Sequence, residues 1–97
     1  MGDILTLSEL RRIVPPLVEA RGLRRALLFG SYARGEAGPD SDIDLIVDGG
    51  EGFRPLSVYA LGEDVREATG KRVDVFELSE IGEGRFRDSA LGEAVAL

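Results

Sequence analysis

The stretch that decides the fold is ALLFGSYARGEAGPDSDIDLIVD, residues 26–48. Its first four residues form an apolar run too short for a helix, which predicts a strand buried on both faces. A turn-rich connection with three glycines follows, and a short helix is expected to start at Ser31. Residues 42–48 then predict a second strand, with Ile43, Leu45 and Val47 on its core face.

Upstream of this stretch, the chain predicts a helix that begins with a capping box. Thr6 and Glu9 stand at the spacing in which each side chain bonds the other residue's backbone N–H. Pro15 and Pro16 are expected to break or kink this helix, because proline lacks the N–H that a helix interior needs. The helical segment is predicted to end near Gly22.

Downstream, helices and strands continue to alternate. Residues 56–68 are predicted as a helix stopped by Gly70, residues 72–77 as a third strand, and residues 83–96 as a weak terminal helix. Phe86, Leu91 and Val95 of that last helix could pack on the chain's own sheet or on a partner. The alternation predicts one α/β (α+β) domain over residues 1–97, a small mixed β-sheet flanked by helices.

Composition limits the chemistry. The 97 residues include no cysteine and no histidine, so thiol nucleophiles, thiolate zinc sites and imidazole bases are excluded. The net charge of −6 argues against nucleic acid as the primary partner. The sequence shows neither a signal peptide nor a membrane-length apolar run, so we expect a cytoplasmic protein.

Two features could bind a metal and a phosphate. Alternate side chains of a strand share a face, so Asp42 and Asp44 should project together, about 7 Å apart at Cα. A divalent cation would relieve their repulsion, although an isolated pair could also be a solvated strand edge. Gly30 and Ser31, placed between a strand and a helix, offer N–H groups and a hydroxyl to an anion, or simply form an ordinary turn.

The two features together, Gly30-Ser31 and then Asp42-Ile-Asp44 after ten residues, resemble the signature of the DNA polymerase β-like nucleotidyltransferase superfamily. The strings GSYARG (residues 30–35) and SDIDLIVD (41–48) are similar to the stand-alone minimal nucleotidyltransferases of prokaryotes. The resemblance implies the nucleotidyltransferase fold and a third carboxylate on a neighbouring strand, for which Asp74 is the best match. Glu77 is a poorer candidate because it has the opposite strand parity.

The resemblance also implies roles for these residues. Asp42, Asp44 and Asp74 would be the catalytic carboxylates and would hold one or two Mg²⁺ ions, and Gly30 and Ser31 would bind the phosphates of ATP. Arg34 is a further candidate nucleotide ligand, unless it only pairs with Glu36 or Asp40.

The minimal proteins of this type are typically paired with HEPN-domain toxins. The resemblance therefore implies an antitoxin that transfers AMP from ATP to a tyrosine of such a toxin. An antitoxin that acts by binding alone and a transferase that modifies a small-molecule hydroxyl are the alternatives, and a homo-oligomer is compatible with each.

Overall fold

Helices and strands alternate along residues 3–97, the part of the chain that the computed structural model describes. In chain order the elements are α1 (Leu7–Ala20), β1 (Arg25–Phe29), α2 (Ser31–Arg34), β2 (Ile43–Asp48), α3 (Pro55–Thr69), β3 (Val73–Glu77), a 3-10 turn (Leu78–Glu80), α4 (Arg85–Glu93) and β4 (Val95–Ala96). The sheet order is β3-β2-β1-β4, with β2 parallel to β3 and β1 antiparallel to both of its neighbours. The predicted small mixed sheet flanked by helices is confirmed.

The two faces of β2 have different neighbours. Ile43, Leu45 and Val47 are fully buried on the face that α1 and α3 cover, as the alternating pattern predicted. On the opposite face, Ile46 is fully buried in a smaller cluster with Phe29 and with Ala90 of α4. Asp44 lies on this second face, because it is two residues from Ile46 along the strand. One face of the sheet therefore packs against α1 and α3 in the main apolar core. The other face combines a smaller apolar cluster with the carboxylate of Asp44.

The first helix differs from the prediction at its prolines. The capping box is confirmed, since Thr6 Oγ1 accepts from Glu9 N at 3.0 Å and Glu9 Oε1 accepts from Thr6 N at 2.9 Å. The expected break at Pro15 and Pro16 is wrong, because α1 continues through both to Ala20. Buried residues on both sides of the prolines hold the helix against the sheet and α3, and this packing outweighs the lost hydrogen bonds.

The C-terminal segment also differs from the prediction. The terminal helix ends at Glu93, and Val95 lies in β4, which pairs antiparallel with β1 and was predicted as helix. Arg11 of α1 donates to the Ala96 carbonyl oxygen from Nε at 3.3 Å and from Nη2 at 3.2 Å. A two-residue strand is too short to show a periodic pattern in the sequence. It forms because the edge of β1 that does not pair with β2 offers it hydrogen-bond partners. Leu91 packs on the chain's own sheet, whereas Phe86 stays half exposed against Phe29 and Phe76.

None of the helices within residues 3–97 has both the length and the apolar character needed to cross a bilayer.

Candidate active site

The centre of the candidate site is a pair of carboxylates on adjacent parallel strands. Asp44 of β2 and Asp74 of β3 are direct register partners, so their side chains stand next to each other on the same sheet face. Burial, followed by the charges of Asp74 and Asp42, raises the pKa of the Asp44 carboxyl from its ordinary 3.8 to about 6. The two carboxylates thus repel each other strongly enough to favour a shared proton or a cation between them.

Gly30 lies against Asp44 at the turn between β1 and α2. Its backbone has φ 75° and ψ −157°, a combination that is essentially restricted to glycine. A Cβ atom at this position would come within 2.2 Å of Asp44 Oδ2. The turn therefore needs glycine both for its backbone conformation and for the close approach of the Asp44 carboxylate. The predicted short helix at Ser31 is confirmed, with Ser31 as its first residue and Gly30 as its cap.

Asp42 forms an ion pair with Arg72. It precedes β2, and its Oδ1 accepts from Arg72 Nε at 3.1 Å. The loop before it is tied down by the buried Lys71, whose Nζ donates to the Pro39 carbonyl oxygen at 2.8 Å. Within residues 3–97, no three or more acidic side chains are arranged as a set of metal ligands. Of the predicted metal ligands, the fold thus brings Asp44 and Asp74 together and holds Asp42 on Arg72.

A magnesium ion fits the Asp44–Asp74 pair on chemical grounds. Carboxylate oxygens are the ligands that Mg²⁺ prefers, and a cation would offset both the burial of the ionised Asp44 and the charges of Asp74 and Asp42, which together raise the pKa of Asp44. Asp42 pairs with Arg72 through Oδ1 alone, and the Arg72 side chain is 80% exposed, so this ion pair is weak and leaves Asp42 available as a further ligand.

Glu93, the last residue of α4, is a site residue that sequence reasoning missed. Its Oε1 accepts from Gly30 N at 2.8 Å, and its Oε2 accepts from Arg34 Nη1 at 3.1 Å. The Gly30 N–H and the Arg34 guanidinium together lower the pKa of the Glu93 carboxyl. Because 63 positions separate Glu93 from Gly30, and because acidic residues are common in this chain, no spacing pattern indicated the contact.

Arg34 and Glu77 complete the set of predicted candidates. Arg34 pairs with Glu36, with Nε 2.9 Å from Oε1, as well as with Glu93, so it lies at the site but is held by two carboxylates. Glu77 faces away, as its parity predicted. It is 3% exposed, and its Oε2 accepts from Gly49 N at 2.9 Å on the other side of the sheet.

Comparisons with known proteins place this geometry in context. A family profile described as "Nucleotidyltransferase domain" matches residues 7–97. Protein adenylyltransferase MntA of Thermococcus cleftensis is 39% identical over 85 residues, which cover 84% of this chain and 86% of that protein. A solved structure with the provisional description of a minimal nucleotidyltransferase is 36% identical, with a TM-score of 0.80 over 99% of this chain and 100% of that one.

A more distant similarity concerns the fold alone. A chain from the structure of a tri-AMPylated Shewanella oneidensis HEPN toxin in complex with an MNT antitoxin is 19% identical to this chain. Its TM-score is 0.62, and the match covers 84% of this chain and 62% of that one.

Proposed function

The chain belongs to the nucleotidyltransferase domain family, and from this premise we propose that it is a Mg²⁺-dependent antitoxin that transfers AMP from ATP to a tyrosine of a HEPN-domain toxin. One observation carries the proposal: Asp44 and Asp74 stand side by side in register, and Asp44 lies against the Gly30 turn. A carboxylate pair next to backbone N–H donors provides a place for a cation and, beside it, a place for phosphate oxygens.

The roles of the residues follow from their positions. Asp44 and Asp74 would hold Mg²⁺, with Asp42 as a further ligand. When bound, the metal ion neutralises charge on the triphosphate and on the departing pyrophosphate. The Gly30 N–H, the Ser31 hydroxyl and the Arg34 guanidinium would bind phosphate oxygens.

Asp74 is the carboxylate that an acceptor can reach. It lies exposed on β3, the edge strand of the sheet, whereas Asp44 is half-buried between β1 and β3. In the proposed reaction the tyrosine oxygen forms a bond to the α-phosphorus, the bond from that phosphorus to the bridging oxygen breaks, and pyrophosphate leaves. Asp74 would accept a hydrogen bond from the attacking hydroxyl and so assist the loss of its proton.

The nature of the acceptor is supported by the relatives and by the composition. The T. cleftensis relative is named a protein adenylyltransferase, which supports AMP as the transferred group and a protein as the acceptor. The complex that contains the more distant fold relative supports a HEPN toxin as that protein. The net charge of −6 also disfavours a nucleic acid acceptor.

The test is a transfer assay with a matched control. The chain is incubated with MgCl₂, α-labelled ATP and the protein encoded by the adjacent gene, and label on that protein is quantified and mapped. We expect label on a tyrosine, a loss of at least about 100-fold for Asp44→Asn and for Asp74→Asn, and full activity for Glu67→Gln on the outer surface of α3. Tight complex formation without any transfer by the wild type would refute the catalytic proposal and leave an antitoxin that acts by binding.

A further inference from the structure

Two donors that we assign to phosphate binding, Gly30 N and Arg34 Nη1, already have an anionic partner, Glu93. We propose that Glu93 is an internal competitor of the nucleotide, and that its carboxylate must leave these donors before a phosphate group can occupy them. The inference rests on the proposed function, because it concerns the same nucleotide site.

The Glu93 carboxylate contacts Gly30 and Arg34 in the way that a bound anion would. One carboxylate oxygen, Oε1, accepts from Gly30 N at 2.8 Å and lies 3.3 Å from Arg34 Nη1, and Oε2 lies 3.1 Å from the same nitrogen. Hydrogen bonds between a carboxylate and a cationic or backbone donor are among the stronger ones in proteins. A phosphate oxygen offers the same chemistry, so it would compete for these donors directly.

The charge of Glu93 opposes the nucleotide as well. Glu93 Oε1 is bonded to Gly30 N, and Gly30 lies against the Asp44 carboxylate, so the charge of Glu93 stands close to that of Asp44. An incoming triphosphate would meet this charge in addition to those of Asp44 and Asp74. Removing the charge of Glu93 should strengthen nucleotide binding, because it frees the two donors and reduces the repulsion between the site and the triphosphate.

The Glu93 side chain can move without disrupting the fold. It is 24% exposed at the surface, so a change of rotamer would carry its carboxylate into solvent. The helix behind it has anchors of its own, since Ala90 is 2% exposed and Arg87 Nη1 donates to the carbonyl oxygens of Leu78 and Ile81. Beyond Glu93, Leu97 N donates to Ala26 O at 3.0 Å and keeps the chain end on β1.

The test compares ATP affinities by titration calorimetry in buffer with MgCl₂. Glu93→Gln retains the size and an accepting oxygen but loses the charge, and Glu93→Ala loses both. We expect Glu93→Gln to bind ATP on the order of tenfold more tightly than the wild type, which corresponds to about 1.4 kcal/mol, and Glu93→Ala to bind at least as tightly as Glu93→Gln. The control is Glu83→Gln, an exposed glutamate just before α4, and its affinity should equal that of the wild type.

The outcomes separate the two proposals. If the wild type binds ATP and neither Glu93 variant binds more tightly, the competitor role is wrong and the nucleotide site stands. Weaker binding by both variants, with thermal melts that show folded protein, would make Glu93 a supporting ligand and also overturn the inference. If neither the wild type nor the variants bind ATP, the proposed function fails, and the role of Glu93 fails with it.

Discussion

Replacing Asp44 with asparagine should stabilise the folded protein at alkaline pH while it abolishes nucleotide transfer. The raised pKa of Asp44 means that the native state holds this proton more tightly than the unfolded chain does. The stabilisation that the folded protein gains from binding this proton is therefore fully present below pH 3.8. It is lost as the pH rises through about 6, where the carboxyl of Asp44 ionises in the native state. Above that range, the ionised Asp44 destabilises the native state, and Asp44→Asn removes this effect.

The magnitude follows from the two pKa values. At 1.36 kcal/mol per pH unit, the interval from 3.8 to about 6 corresponds to about 3 kcal/mol. Because Asp44 is only partly buried, solvent screening reduces this to about 1 to 2 kcal/mol. For a domain of this size, each kcal/mol shifts Tm by about 4 to 8 °C.

The assay is urea denaturation of the wild type and Asp44→Asn at pH 4.5 and pH 8, in EDTA so that no metal ion binds the carboxylates. Because pH 4.5 lies between the two pKa values, the difference in unfolding free energy should there be about a third of its full size, and it should reach about 1 to 2 kcal/mol in favour of the variant at pH 8. Glu67→Gln controls for the loss of one exposed carboxylate and should show no comparable gain. Equal differences at the two pH values would refute the reasoning, since ionisation of the partly buried Asp44 beside Asp74 would then not affect the stability.

Three further substitutions test the fold and the site. Gly30→Ala should lower stability by about 1 to 3 kcal/mol and transfer by more than tenfold, because the backbone excludes a side chain and Cβ would displace Asp44; wild-type activity with unchanged Tm would contradict this. Glu77→Ala should cost about 1 to 3 kcal/mol in urea denaturation, because Gly49 N loses its buried acceptor, whereas the exposed Glu80→Ala should be nearly neutral. Leu28→Ala should cost about 2 to 5 kcal/mol by the same measurement, because its side chain is fully buried; a loss under 1 kcal/mol would mean that the core refills the space.

The sequence by itself was sufficient for the three main strands and for the sheet faces on which Asp44 and Asp74 lie. Alternation in residues 42–48 placed Asp44 opposite Ile43, Leu45 and Val47, because strand geometry fixes which side chains share a face. The parity of residues 72–77 likewise put Asp74 on the face opposite Glu77. These features depend only on local backbone geometry, so they can be deduced without knowing what packs around them.

Only the tertiary structure decided the features that depend on partners distant in sequence. Pro15 and Pro16 stay within one helix because the sheet and α3 hold the residues on both sides, and Val95 forms a strand because β1 has a free edge. Asp42 is directed to Arg72, and Glu93 to Gly30 and Arg34, by contacts between segments 30 or more positions apart. Local sequence patterns do not encode such contacts, since they arise when packing brings opposite charges within hydrogen-bonding distance.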